Sequence, residues 1–103
     1  MLHVVAILTA KPGQREAILA AIRANLPAVR AEKGCIEYGS AIDAEGIGGF
    51  QTKAGPDTIF VIEKWADADA LKAHAVAAHM AAYAAKVKDL VAGRVIHVLS
   101  PAA

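Results

Sequence analysis

The chain reads as an α+β fold of ferredoxin-like order, β-α-β-β-α-β, with four antiparallel strands and two helices on one face. Three observations predict it. Apolar, β-branched runs recur at 2–9, 58–65 and 94–99, with a shorter mixed run at 35–42. Two intervening segments carry apolar residues at steps of three and four, the helical period. At 103 residues there is material for one core, so 1–103 is expected to form a single domain.

The elements follow in order. "LHVVAILT", Leu2 to Thr9, is almost continuously apolar and stops at "AKPG", where turn chemistry meets a helix start. From Gln14 onward, Ile18, Ile22, Leu26 and Val29 share one helix face, with Arg15, Arg23 and Arg30 on the other. Pro27 removes a backbone donor and disfavours α geometry at Leu26, which predicts a kink or a fresh start. "CIEYGSAI" is the second strand. The stretch 43–57, "DAEGIGGFQTKAGPD", holds four glycines and a proline and reads as a mobile loop. That it gates a pocket is the sharper expectation; an ordinary surface loop is the plainer and preferred one. "TIFVIEKW", 58–65, is the third strand. Asp67 offers an N-cap and Asp69 a first-turn charge for a helical region expected to reach about Ala92 and end at Gly93. "RVIHVL", 94–99, closes the sheet.

Within the second helical region, Val76, Met80, Tyr83, Val87 and Leu90 form one apolar stripe, but Leu71 falls out of phase with it. Either the turns up to about residue 75 are a separate short helix, or Leu71 packs alone on the far side of an alanine-rich rod. The strands raise a second issue. A sheet covered on one side should alternate in polarity, yet strands one, three and four are largely apolar at both parities. The open face therefore needs a cover, and a second copy of the same sheet is the simplest one, which predicts a two-fold homodimer packed face to face.

Composition excludes several classes. Hydrophobic residues make up 56% of the chain, yet no apolar run is long enough to span a membrane. A net charge of +1 with no Lys/Arg cluster argues against a nucleic-acid surface. No basic leader precedes the first strand, so a cytoplasmic location is expected. Cys35 is the sole cysteine and reads as a buried structural thiol. "GIGG" at 46–49 lacks the context of a phosphate loop, and no serine lies in a nucleophile-elbow setting.

The chemistry concentrates in "EKWADADALKAHAVAAHM", residues 63–80. On the third strand Glu63 and Trp65 share a face with Ile59 and Val61, which puts a carboxylate beside an indole on an apolar surface. An ion pair to a helix arginine is the plain reading for Glu63, and core packing for Trp65. On an unbroken helix His74 and His79 lie about 140° apart, a poor spacing for a metal pair, so no metal is expected. Two neutral imidazoles bordering an apolar pocket suit proton transfer near neutral pH. His3 and His97, on strands adjacent in this topology, read as structural.

"KPG" before helix one, "GCIEYG" after it and "FVIEKW" followed by two histidines resemble the antibiotic biosynthesis monooxygenase superfamily, small dimeric α+β barrel proteins that include quinol monooxygenases. The resemblance spans nearly the whole chain. It implies a cofactor-independent monooxygenase that oxidises a small aromatic, hydroquinone or anthrone-like substrate with O2. Carried over residue by residue, it assigns deprotonation to His79 or His74, with His79 preferred, and gives the Trp65 indole N–H the substrate oxygen or peroxide. Glu63, Tyr83, Met80 and Val76 are then expected to line the pocket. The only asparagine, Asn25, lies in helix one and receives no role. A non-catalytic dimeric binder of small aromatic ligands is the alternative, and a haem-degrading monooxygenase ranks below it.

Overall fold

The computed structural model describes residues 1–103. Its elements are β1 (Leu2–Ala10), α1 (Arg15–Arg30), β2 (Cys35–Ala41), β3 (Thr58–Trp65), α2 (Ala68–Ala75), α3 (Ala78–Val87) and β4 (Val91–Leu99). The strands form one antiparallel sheet in the order β2-β3-β1-β4, as the ferredoxin-like reading requires. Register sorts the side chains. Val4, Ala6 and Leu8 of β1, Tyr38 of β2, and Ile59, Val61, Glu63 and Trp65 of β3 face the helices and are buried. Ile18, Ile22 and Val29 of α1 complete the core.

Four features depart from the sequence reading. The second helical region is two helices, so the fold has three. Ala77, extended at φ −63° and ψ 141°, separates α2 from α3, which is the separate-short-helix arrangement that Leu71 allowed. The helical region also ends at Val87, and β4 begins at Val91. Val91 and Gly93 pair with Ala10 and Thr9 around a bulge, so Gly93 lies inside a strand instead of ending a helix. Pro27 lies within α1, which continues through it to Arg30. The second strand stops at Ala41, one residue early.

The connections are tied by polar side chains. Asp67 caps α2, its carboxylate accepting from the Ala70 N–H at 2.8 Å. Asp43 closes the base of the 43–57 loop by accepting from the N–H groups of Ala54 and Gly55, both at 2.9 Å, and those bonds hold its carboxyl below the usual range. The turn after α1 depends on Gly34, whose φ of +84° is left-handed. A Cβ there would lie 2.5 Å from Ala70 Cβ, and the Gly34 carbonyl accepts from the Ala66 N–H at 2.8 Å. That turn is thus pressed against the start of α2.

Candidate active site

A polar cluster sits between the helices and the outer half of the sheet. β3 supplies Glu63 and Trp65, the turn after α1 supplies Glu32, α2 supplies His74 and α3 supplies His79. Trp65 is 0% exposed and donates its indole N–H to Glu63 Oε1 at 2.9 Å. Burial pushes the Glu63 carboxyl up, against the opposing pull of the Trp65 bond and of His74. The His74 ring packs on Trp65 at 4.6 Å and edge-on to Tyr38 at 5.5 Å. Burial, with the nearby Glu63 charge, also raises the Tyr38 phenol, and burial raises the Cys35 thiol.

Glu32 joins the two histidines. Its Oε2 lies 2.7 Å from His74 Nδ1 and 3.3 Å from His79 Nε2. The His74 contact is a hydrogen bond; His79 Nε2 is buried at ion-pair distance without an aligned acceptor. On the other edge of the His79 ring, Nδ1 lies 3.2 Å from the amide nitrogen of Asn25 on α1. The result is a chain Asn25–His79–Glu32–His74 drawn from three helices and a turn. The break at Ala77 makes it possible: the imidazoles come within 6.5 Å of each other around one carboxylate. No group of three or more His, Cys, Asp or Glu side chains is arranged to hold a metal ion.

One cavity touches the cluster through His79, and a second shares Tyr83 with the first. The first, about 180 Å³, lies in the α1–α3 seam, lined by Ala21, Ala24, Asn25, His79, Tyr83 and Lys86 among others. The second, about 340 Å³, is bounded by α3 and the start of β4, with Leu8, Tyr83, Val87, Val91, Lys88 and Arg94 on its walls. Tyr83 lines both; burial raises its phenol, opposed by the Arg94 charge.

The expected site residues fare unequally. His79 and Tyr83 reach a cavity. His74 is buried behind Glu32, and Met80 packs against the core, its Sδ 3.5 Å from the Asn25 amide nitrogen. Val76 is corrected: it caps the end of α2 and is 82% exposed, because the helix breaks just beyond it and takes it off the stripe. Trp65 and Glu63 are with the cluster but line neither cavity, and the indole N–H is already given to Glu63, so it has no free hydrogen for a substrate oxygen. That bond also replaces the expected arginine partner of Glu63. No residue of the 43–57 loop lines either cavity. Sequence reasoning missed Glu32 and Asn25. A signal for Asn25 was present: residues 18, 22, 25 and 29 step by four, three and four, so a lone amide occupies a buried-stripe position.

A four-stranded ferredoxin-like sheet with one carboxylate between two histidines beneath its helices defines a small α+β protein with a buried cluster of ionisable side chains. Comparison with known proteins gives the family. The model of the antibiotic biosynthesis monooxygenases matches residues 1–86, and the chain belongs to that family. The Escherichia coli (strain K12) protein named "Probable quinol monooxygenase YgiN" is 38% identical over 103 residues, 98% of each chain. Among solved structures, PA3566 from Pseudomonas aeruginosa superposes with a TM-score of 0.80 at 28% identity, covering 99% of this chain and 94% of that one. Rv0793 from Mycobacterium tuberculosis gives 0.80 at 26% identity, over 99% and 95%.

Proposed function

We propose that the protein is a cofactor-independent monooxygenase that oxidises a small hydroquinone- or anthrone-like substrate with O2, using His79 as the base. The observation that carries this reading is the placement of His79, in a cavity wall with Glu32 behind Nε2. A carboxylate behind an imidazole orients the ring and stabilises the cation formed when it takes a proton. Once deprotonated, such a substrate is electron-rich enough to reduce O2 itself. For an anthrone, a ring CH2 and O2 yield a quinone carbonyl and one water. The protein's share is the base, the positioning and the exclusion of water. The family membership and the quinol monooxygenase name of the relative support the substrate class.

We also propose that the working unit is a homodimer formed through the open sheet face. Ile62, Val95 and Leu99 lie about half exposed on that face, and Ile96 and Val98 are equally bare on the other side of β4, whose main partner is β1 alone. Such a patch is more apolar surface than a monomer ordinarily shows to water. Sedimentation at micromolar concentration should give a dimer, and a monodisperse monomer would overturn that assembly.

The activity is tested with an oxygen electrode over a series of quinols and anthrones in metal-chelated, flavin-free buffer. Uptake that falls in His79→Gln is the expected result. Thermal stabilisation by the same compounds with no oxygen uptake would make the protein a binder instead.

A further inference from the structure

Asn25 lies 54 residues from His79 in sequence, yet its amide nitrogen stands 3.2 Å from His79 Nδ1 and 3.5 Å from Met80 Sδ. The second distance decides what the first one means. A thioether sulfur carries no hydrogen and can only accept, so the amide edge that faces it is the NH2 edge. The opposite orientation would set the amide oxygen against the sulfur lone pairs. An NH2 group has two hydrogens and no acceptor capacity, so Nδ1 must be the proton-free nitrogen of the ring. In neutral His79 the hydrogen then resides on Nε2, with Glu32 Oε2 3.3 Å away at ion-pair distance but out of line for a hydrogen bond.

We propose that Asn25 is a positioning residue that holds His79 as the Nε2–H tautomer and keeps the Nδ1 lone pair at the wall of the α1–α3 cavity. This inference rests on the reading of His79 as the base, and it says which nitrogen works. The substrate hydroxyl displaces the Asn25 N–H from Nδ1 and gives that nitrogen its proton: the O–H bond breaks, the N–H bond forms on the freed lone pair, and the electron pair of the O–H bond stays on the substrate oxygen. The ring then carries hydrogens on both nitrogens, with Glu32 opposite the new charge. The amide hydrogen of Asn25 displaced from Nδ1 is left beside the substrate oxyanion. The other charged or titratable groups facing the ring are His74 from α2, with ring centroids 6.5 Å apart, and Tyr83 and Lys86, which share the cavity wall.

The test reads the tautomer without substrate, so it is independent of turnover. In protein labelled with ¹⁵N-histidine, long-range ¹H–¹⁵N correlation at a pH where His79 is neutral should place its hydrogen on Nε2; a hydrogen on Nδ1 would overturn the proposal. Asn25→Asp supplies only acceptors and should move the hydrogen to Nδ1 or hold the ring doubly protonated. An unchanged Nε2–H pattern in a folded variant would also overturn it. Should the aspartate variant not fold, Asn25→Leu keeps the shape without the donor. Its Nδ1 resonance should then shift toward that of a nitrogen with no hydrogen bond, and an unmoved resonance counts against the proposal. Oxygen uptake separates the two claims. A tautomer inverted in Asn25→Asp with full turnover would leave the assignment of Asn25 standing and remove His79 as the base.

Discussion

α1 carries a proline and stays whole, whereas the second helical region has neither proline nor glycine between Ala68 and Val87 and breaks in two. Pro27 deprives only the Arg23 carbonyl of its donor, on an exposed turn where water can replace it, and both sides of the proline belong to one buried stripe. In the second region nine residues separate Leu71 from Met80 and His74 from Tyr83, which puts each pair about 180° apart on a continuous helix. All four face inward only if the rod is cut and turned. Helix continuity here follows the core, and local breaker residues are secondary.

The largest effect should come from undoing that cut. Deleting Ala77 removes the extended residue that turns α3 away from α2, carrying Met80, Tyr83 and Val87 off the core and His79 away from Glu32. Denaturant unfolding should register a loss of about 3–5 kcal/mol, with no residual turnover. Near-native stability would mean that packing does not impose the break.

The two histidines sharpen the comparison next. His79→Gln should lower turnover by about two to four orders of magnitude while costing only about 1 kcal/mol. His74→Gln should invert the balance, with a stability loss of about 1–3 kcal/mol from the buried bond to Glu32 and a smaller kinetic effect. Steady-state rates and melts on the same preparations check both, and matching profiles would show that the rings are interchangeable.

Glu63 gives a pH signature. Its folded-state pKa is raised by burial above the ordinary 4.5, so the fold prefers the protonated form, and the wild type loses stability as pH climbs from that value through the raised one. Glu63→Gln cannot lose a proton, and its amide oxygen can still accept from Trp65. Melts at pH 4 and pH 7 should show the variant gaining on the wild type at the higher pH; a constant difference would refute the assignment. The smallest effect belongs to α1. Pro27→Ala restores a donor but frees the unfolded chain, for a net gain of up to about 1 kcal/mol in a thermal melt. A loss would show that the proline supports its turn.

The readable parts of the molecule were those whose cause is local. β3 matches 58–65 to the residue because a Gly-Pro-Asp turn and an Asp N-cap bracket a dense β-branched run. The doubtful phase of Leu71 already hinted at the break. The start of β4 was hidden because Val91 to Gly93 has the composition of a helix end, and only pairing with β1 makes it a strand. Glu32 stands 42 residues from His74 and Asn25 54 from His79, so no sequence spacing brings them together. The juxtaposition of Glu63 and Trp65 was legible from the strand alternation, but the bond between them was not drawn, because a distant arginine was expected as the partner in place of the adjacent indole.

Gly34 acts at a distance from its own residue. The hollow it leaves is filled by Ala70, which seats α2 low enough for His74 to meet the carboxylate of Glu32, two positions before the glycine. Any side chain at 34 becomes a wedge under that helix and also strains the left-handed turn. In a saturation-mutagenesis screen for activity, position 34 should therefore look as intolerant as the histidines, although it carries no chemistry. A library scored by phenotype alone would place a glycine among the catalytic residues.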